Sequence, residues 1–155
     1  MTTLQATLRP AWGADLVNLG RIDPLLSQSA YGRTAARLLN QGRSWVADIN
    51  GAPIAYALTS LDFFNRPLVE MILVAEPYRR RGVGFALLER CEAAHQDDRL
   101  FVTVKVSNAP MLALLAKAGF RGSGIIYNLN PDDPELVYVK LRSPPLTFVK
   151  YQPPA

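Results

Sequence analysis

The chain has 155 residues, 49% of them hydrophobic and 19% charged, with a formal net charge of +4. That balance suits one globular domain with its own core and argues against disorder. No run approaches the roughly 18 apolar residues of a membrane span, which argues against a membrane partner. A single cysteine, Cys91, leaves no internal disulfide and suits a reducing compartment. The start, "MTTLQATLRPAW", lacks the charged opening and apolar stretch of a signal peptide, so the expected location is cytoplasmic.

In chain order, residues 3–9 alternate loosely and read as a strand, with a helix over about 11–20 and a break at Pro24. "QSAYGRTAARLLNQ" (28–41) reads as a helix closing near Gly42. "SWVADING" and "APIAYALTSLDFF" are β-rich runs joined at Asn50-Gly51, the strongest short hairpin signal. Pro67 introduces the strand "LVEMILVA", and the glycines at 82 and 84 lead into a helix ending near His95. "RLFVTVKV" (99–106) is a strand by its alternation and β-branched residues. Asn108 caps a helix with Pro110 in its first turn, and Gly119 closes it. "GIIYNL" and "ELVYVKL" read as two last strands joined by "NPDDP". The reading is one α/β domain over residues 1–142, ordered β-α-α-β-β-β-α-β-α-β-β, with a proline-rich surface tail over 143–155.

Chemistry concentrates in "EPYRRRGVGFALLERC" (76–91), where three arginines and a Gly-x-Gly step open a helix. A helix N-terminus offers unpaired N–H groups and partial positive charge, which hold anions. Gly82 and Gly84 let the backbone close around phosphate oxygens and take positive φ where needed. Of Arg79, Arg80 and Arg81, one or two can pair with phosphates while the rest face solvent. A nucleotide P-loop is excluded, because Phe85 and Ala86 follow Gly84 where Lys-Ser/Thr is required. A dinucleotide fingerprint is excluded by Leu87 at its third glycine. A nucleic-acid binder more often shows a basic stripe interleaved with aromatics, so a small phosphorylated ligand is favoured and no nucleic-acid partner is expected.

"ILVAEPYRRRGVGFALL" resembles the acetyl-CoA signature of the GNAT acetyltransferase superfamily, Arg/Gln-x-x-Gly-x-Gly/Ala after a strand ending in Val. Arg79, Gly82 and Gly84 stand at its fixed positions and Val74 at the strand end. Further on, "NAPMLALLAKAGF" resembles the family's second motif: Asn108, Leu114, Lys117, Gly119 and Phe120 match, with Met111 where alanine is usual. The element order matches over about residues 3–142. The resemblance implies a mixed sheet whose fourth and fifth strands splay apart around the pantetheine arm of acetyl-CoA. It further implies acyl transfer, usually of acetyl, from acetyl-CoA to a primary amine of a small molecule or protein, without a metal. Homodimers are common in the family, though no pattern in the chain marks one. A module that binds acyl-CoA without transferring it is the alternative.

Carried onto this chain, the resemblance has the main chain of Ile72, Leu73 and Val74 pairing with the pantetheine amides. The backbone from Arg79 through Arg80, Arg81, Gly82 and Val83 to Gly84 would grip the diphosphate, and Asn108 would either reach the ligand or serve only as a helix cap. A backbone N–H near Leu73 or Val74 would receive the carbonyl oxygen. Glu70 is the candidate general base, since spermidine/spermine acetyltransferases carry a glutamate at the matching offset. Alternation puts Glu70 on one face with Ile72 and Val74, and the competing reading is an edge residue facing water. Leu115 stands where the family often has the tyrosine that protonates the leaving thiolate. Tyr127, Tyr56 or water could substitute, with core packing the other role for Tyr127. Cys91 and His95, four apart, have metal-like spacing, but packing and an exposed helix end are the expected roles. Phe63 and Phe64 either line an acceptor pocket or anchor the hydrophobic core.

Overall fold

In the computed structural model, which describes residues 5–142 and 148–155, Asn50 and Gly51 take φ values of 50° and 81°. Two successive left-handed residues make the two-residue turn whose twist matches a hairpin, and the flanking Ile49 and Ala52 pair directly. From this hairpin of β2 (Trp45–Ile49) and β3 (Ala52–Phe63) the sheet grows outward. β1 (Thr7–Pro10) and β4 (Arg66–Val74) flank it, and beyond β4 come β5 (Arg99–Lys105), β7 (Glu135–Leu141) and, at the far edge, β6 (Arg121–Ile126). The order is β1-β2-β3-β4-β5-β7-β6, and all neighbours are antiparallel except β4 and β5.

Helices cover both faces. α3 (Val83–Ala93) and α4 (Ala109–Lys117) bury Leu87, Leu88, Cys91 and Leu115 against Val69, Leu100 and Val102. On the other face α1 (Leu16–Leu19) and α2 (Ser29–Asn40) bury Leu19, Leu38 and Leu39 against Val46, Tyr56 and Leu58. Each such leucine contributes on the order of 2 kcal/mol by leaving water, so the two layers hold the sheet from both sides. Burial pushes the Cys91 thiol up to about 12, consistent with its packing role. No helix among the described residues is long and apolar enough to cross a membrane.

The structure departs from the sequence reading in three places. The helix expected over 11–20 is a 3₁₀ turn (Gly13–Asp15) running into the single turn of α1. There the Asp15 carboxylate accepts from the Trp12 N–H at 2.8 Å and from Arg9 Nη2 at 2.7 Å, which fixes the tight entry. The strand expected over 124–129 instead runs from Arg121 to Ile126: Gly119 (φ 87°) turns Phe120 into the core and the chain enters the sheet at once. Gly122 and Gly124, with a register shift between them, had masked that strand. Of the tail reading, residues 143–147 lie outside the described residues; residues 148–155 are exposed and carry no helix or strand.

The third departure is His95, which is not an exposed helix end but only 4% exposed. Its Nε2 has no hydrogen-bond partner among the described residues, and it sits in a small cleft with Glu92, Asp97, Arg99, Lys140 and Arg142. Burial holds its pKa below 6.5, helped by Arg43 and Arg142 and opposed by Asp97. The unfolded chain therefore takes up this proton first as the pH falls. The stability that the neutral imidazole contributes is complete above about pH 6.5 and is lost below it, down to the folded-state pKa. Urea midpoints should fall between about pH 7.5 and about pH 5.5, and His95→Gln should shrink that fall. An equal fall in the variant would show that other groups govern acid sensitivity.

Candidate functional site

β4 and β5 touch in parallel at two positions only, Leu68 beside Phe101 and Val69 beside Val102. Past them β4 continues to Val74 and β5 to Lys105 without pairing to each other, so a wedge opens toward their C-terminal ends. On its other side β4 is paired to β3 as far as Val74. The main chain of Ile72, Leu73 and Val74 thus presents its gap side to the wedge, where an extended chain bearing amides could add as a strand does.

Glu70 stands where the wedge begins. In the β3–β4 ladder Thr59 faces Val69 and Leu58 faces Met71, which leaves Glu70 as the extra residue of a β-bulge. The bulge overturns the simple alternation. Val69, Ile72 and Val74 pack with the α3–α4 layer, Met71 and Leu73 with the α1–α2 layer. Glu70 turns toward α2, where its Oε2 lies 3.8 Å from Arg37 Nη2. Its side chain is 20% exposed on the middle strand of the sheet, so it is not an edge residue facing water. Arg37 Nη1 in turn donates to Asp62 Oδ2 at 2.7 Å.

At the open end of the wedge the chain turns through a 3₁₀ turn (Glu76–Tyr78) into the arginine loop. Arg79 Nε donates to the Val74 carbonyl at 2.8 Å, tying the loop to the strand end. One of the three arginines therefore has an internal task, and Arg80 and Arg81 remain exposed to meet an anion. Arg80 (φ 61°) and Gly82 (φ 83°) are both left-handed, and α3 starts at Val83 with no side-chain cap. The N–H groups of its first turn thus face outward beside a concave turn, a shape suited to phosphate oxygens.

The two glycines divide the labour differently from the sequence reading. Gly82 has open space where a Cβ would sit and is needed for its φ. Gly84 is needed for packing: a Cβ there would come within 2.8 Å of Leu114 Cδ2 and 3.6 Å of Val74 Cγ2. It lets α3 approach α4 and the end of β4.

The remaining candidates are placed as follows. Asn108 Oδ1 accepts from the Met111 N–H at 3.2 Å, so the cap is formed. Tyr127 is 66% exposed just past β6, which excludes the core-packing role. β6 runs parallel to β5 across β7, so Tyr127 lies at the end of the sheet toward which the wedge opens. Tyr56 is buried and donates to Asp23; burial and that carboxylate raise its pKa, which removes it as a proton donor. Leu115 is fully buried in the core. Phe63 ends β3 with its ring 4.9 Å from Phe101, while Phe64 is 84% exposed in a turn with Asn65, both left-handed. No cluster of three or more His, Cys, Asp or Glu that could hold a metal occurs among the described residues. Sequence reasoning missed Arg37 and Asp62, since no motif contains them and only the bulge brings Glu70 to their side.

This constellation can be compared with known proteins. Residues 12–120 match the acetyltransferase (GNAT) family. The chain belongs to that family. It is 28% identical over 92 residues to an N-alpha-acetyltransferase of Sulfurisphaera tokodaii, covering 50% of this chain and 55% of that protein. The chain thus spans about half the length of the curated relatives it matches. Among solved structures it resembles the ribosomal-protein-S18-alanine N-acetyltransferase of Escherichia coli (TM-score 0.77, 22% identity, 95% of this chain and 100% of that one). It also resembles diaminobutyrate acetyltransferase of Paenibacillus lautus, solved with L-2,4-diaminobutyric acid and coenzyme A (TM-score 0.75, 17% identity, 94% and 100%). These structures show that the overall fold is shared.

The glycine assignments are open to test. Gly82→Ala should cost about 1 kcal/mol of unfolding free energy through its left-handed backbone. Gly84→Ala should cost about 1–3 kcal/mol by overpacking. Adding Leu114→Val to Gly84→Ala should recover part of that loss in urea denaturation, and no recovery would refute the contact as its cause.

Proposed function

We propose that this chain is an N-acyltransferase that moves an acetyl group from acetyl-CoA to an amine. The α-amine of a protein or peptide is the leading acceptor, ahead of a small-molecule amine. The observation that carries the reading is the wedge between β4 and β5 meeting the Arg80–Gly82 turn and the start of α3 at one end of the sheet. The named role of the Sulfurisphaera relative favours the α-amine, and the family resemblance favours acetyl-CoA.

In this reading the main chain of Ile72–Val74 pairs with the pantetheine amides. Arg80, Arg81 and the backbone from Arg79 to Gly84 hold the diphosphate, and Asn108 lies beside the ligand from the start of α4. The thioester then sits in the wedge next to Glu70. The nitrogen–carbon bond forms at the thioester carbonyl as the carbon–sulfur bond breaks. The nitrogen gives up two protons between ammonium and amide: Glu70 takes the first and frees the lone pair, and the second passes through water to the thiolate, or to Tyr127 once Tyr127 has protonated it.

Magnitudes fix what each group must supply. Freeing an alkyl amine of pKa ~10.4 at pH 7 costs about 4 to 5 kcal/mol, whereas an α-amine near pKa ~7.8 costs only about 1 kcal/mol. An α-amine acceptor therefore asks less of Glu70. A thiol of pKa around 8.5 leaves with little help, so a buried Leu115 in place of a donor is tolerable. Leu115 also motivates the second reading, a module that binds acyl-CoA and transfers nothing.

Calorimetric titration with acetyl-CoA is expected to saturate, and N-terminal peptides are expected to provoke release of free thiol. Saturation without release across peptides and amines would leave the binding module standing, and no saturation would sink both readings. Glu70→Gln should lower kcat roughly a hundredfold while acetyl-CoA still binds. Arg80→Ala with Arg81→Ala should weaken acetyl-CoA binding at least about tenfold, as expected for lost charge-assisted hydrogen bonds.

A further inference from the structure

The bulge turns Glu70 toward the α2 face, whose charges are arranged unevenly. Arg37 and Arg33 lie one turn apart on the exposed ridge of α2. Below them are two carboxylates, Asp62 near the end of β3 and Glu70 in β4. Asp62 holds Arg37 at 2.7 Å, while Glu70 stands at 3.8 Å, beyond hydrogen-bond reach but within Coulombic reach. Asp62 thus anchors the guanidinium through Nη1, and among the described residues no hydrogen bond reaches the Glu70 carboxylate. Arg37 keeps 48% of its side chain exposed, so an arriving molecule meets its charge directly.

We propose that Arg37 is a specificity-determining residue: its cation, held beside Glu70 by Asp62, selects acceptors by the charge next to the reacting amine. An acceptor must bring its ammonium to Glu70. A second positive charge close to that ammonium meets Arg37 and Arg33 and is repelled, whereas an acidic neighbour is attracted. For a peptide acceptor the charge is that of the residues just after the N-terminal one. The chain therefore favours N-termini followed by Asp or Glu over those followed by Lys or Arg, and disfavours polyamines. This rests on the reading of Glu70 as the base that meets the acceptor, and adds that the acceptor arrives from the α2 face to which Glu70 turns.

The experiment uses two peptides that share an N-terminal alanine and differ only in acidic or lysine residues at the next two positions. Wild-type protein should show the higher kcat/KM for the acidic peptide. Arg37→Ala should shrink that ratio about two- to fivefold, the range for a solvent-exposed charge pair. Arg37→Lys should retain most of the ratio, and Asp62→Asn should raise it by unmasking the cation. A merely structural role for Arg37 would lower both rates together and leave the ratio unchanged, and that result overturns the proposal. Should no peptide be acetylated, affinities of the two peptides for the acetyl-CoA-loaded protein are compared in the same variants, and equal affinities overturn it as well. Glu70→Gln separates the two ideas: full activity in that variant removes Glu70 as the base while the charge ratio stands or falls alone.

Discussion

Parallel pairing between β4 and β5 lasts for two residues and then stops, because the extra residue at Glu70 bends β4 while β3 continues to hold its other edge. A central sheet normally has every backbone group paired, so an opening in its middle must be maintained by something on either side. Here β3 supplies one restraint and the antiparallel β5–β7 ladder, continuous from Arg99 to Lys105, supplies the other. The helical layers close above and below. Both strands keep their partners on the outer side, and the inner edges between them are left for a ligand's amides.

Much of this was legible in the letters. The Asn-Gly turn, the Asn108 cap with Pro110 behind it and the closing Gly119 each rest on a local backbone rule, and local rules survive folding. What failed was non-local. The face on which Glu70 lies depends on a bulge whose register is set by β3, and strict alternation cannot anticipate one extra residue. The start of β6 was hidden by its glycines, although the burial of Phe120 demands a strand there. His95 read as a helix end because the sequence does not reveal that Arg142 and Lys140 of the last strand region fold over it.

The arginine-glycine motif illustrates the difference between recognising a pattern and assigning its parts. All six residues from Arg79 to Gly84 read as one phosphate cradle, yet the Arg79 side chain is tied back onto the Val74 carbonyl. The missing side chain of Gly84 serves the α3–α4 contact, through Leu114 of the second motif. The two motifs are therefore one physical unit: the first can place its helix only because the second presents a side chain shaped to receive a bare α-carbon. Their spacing in sequence is a packing requirement.

Cys91 has a consequence of its own. Once a thiol released by acyl transfer has been oxidised to its disulfide, that disulfide exchanges with any accessible protein thiolate. In this chain the sole cysteine lies fully buried beneath α3 with its thiol held in the unreactive protonated form. Native protein should thus form no mixed disulfide with the oxidised coenzyme, and a thiol-specific dye added to it should register only thiols released in solution.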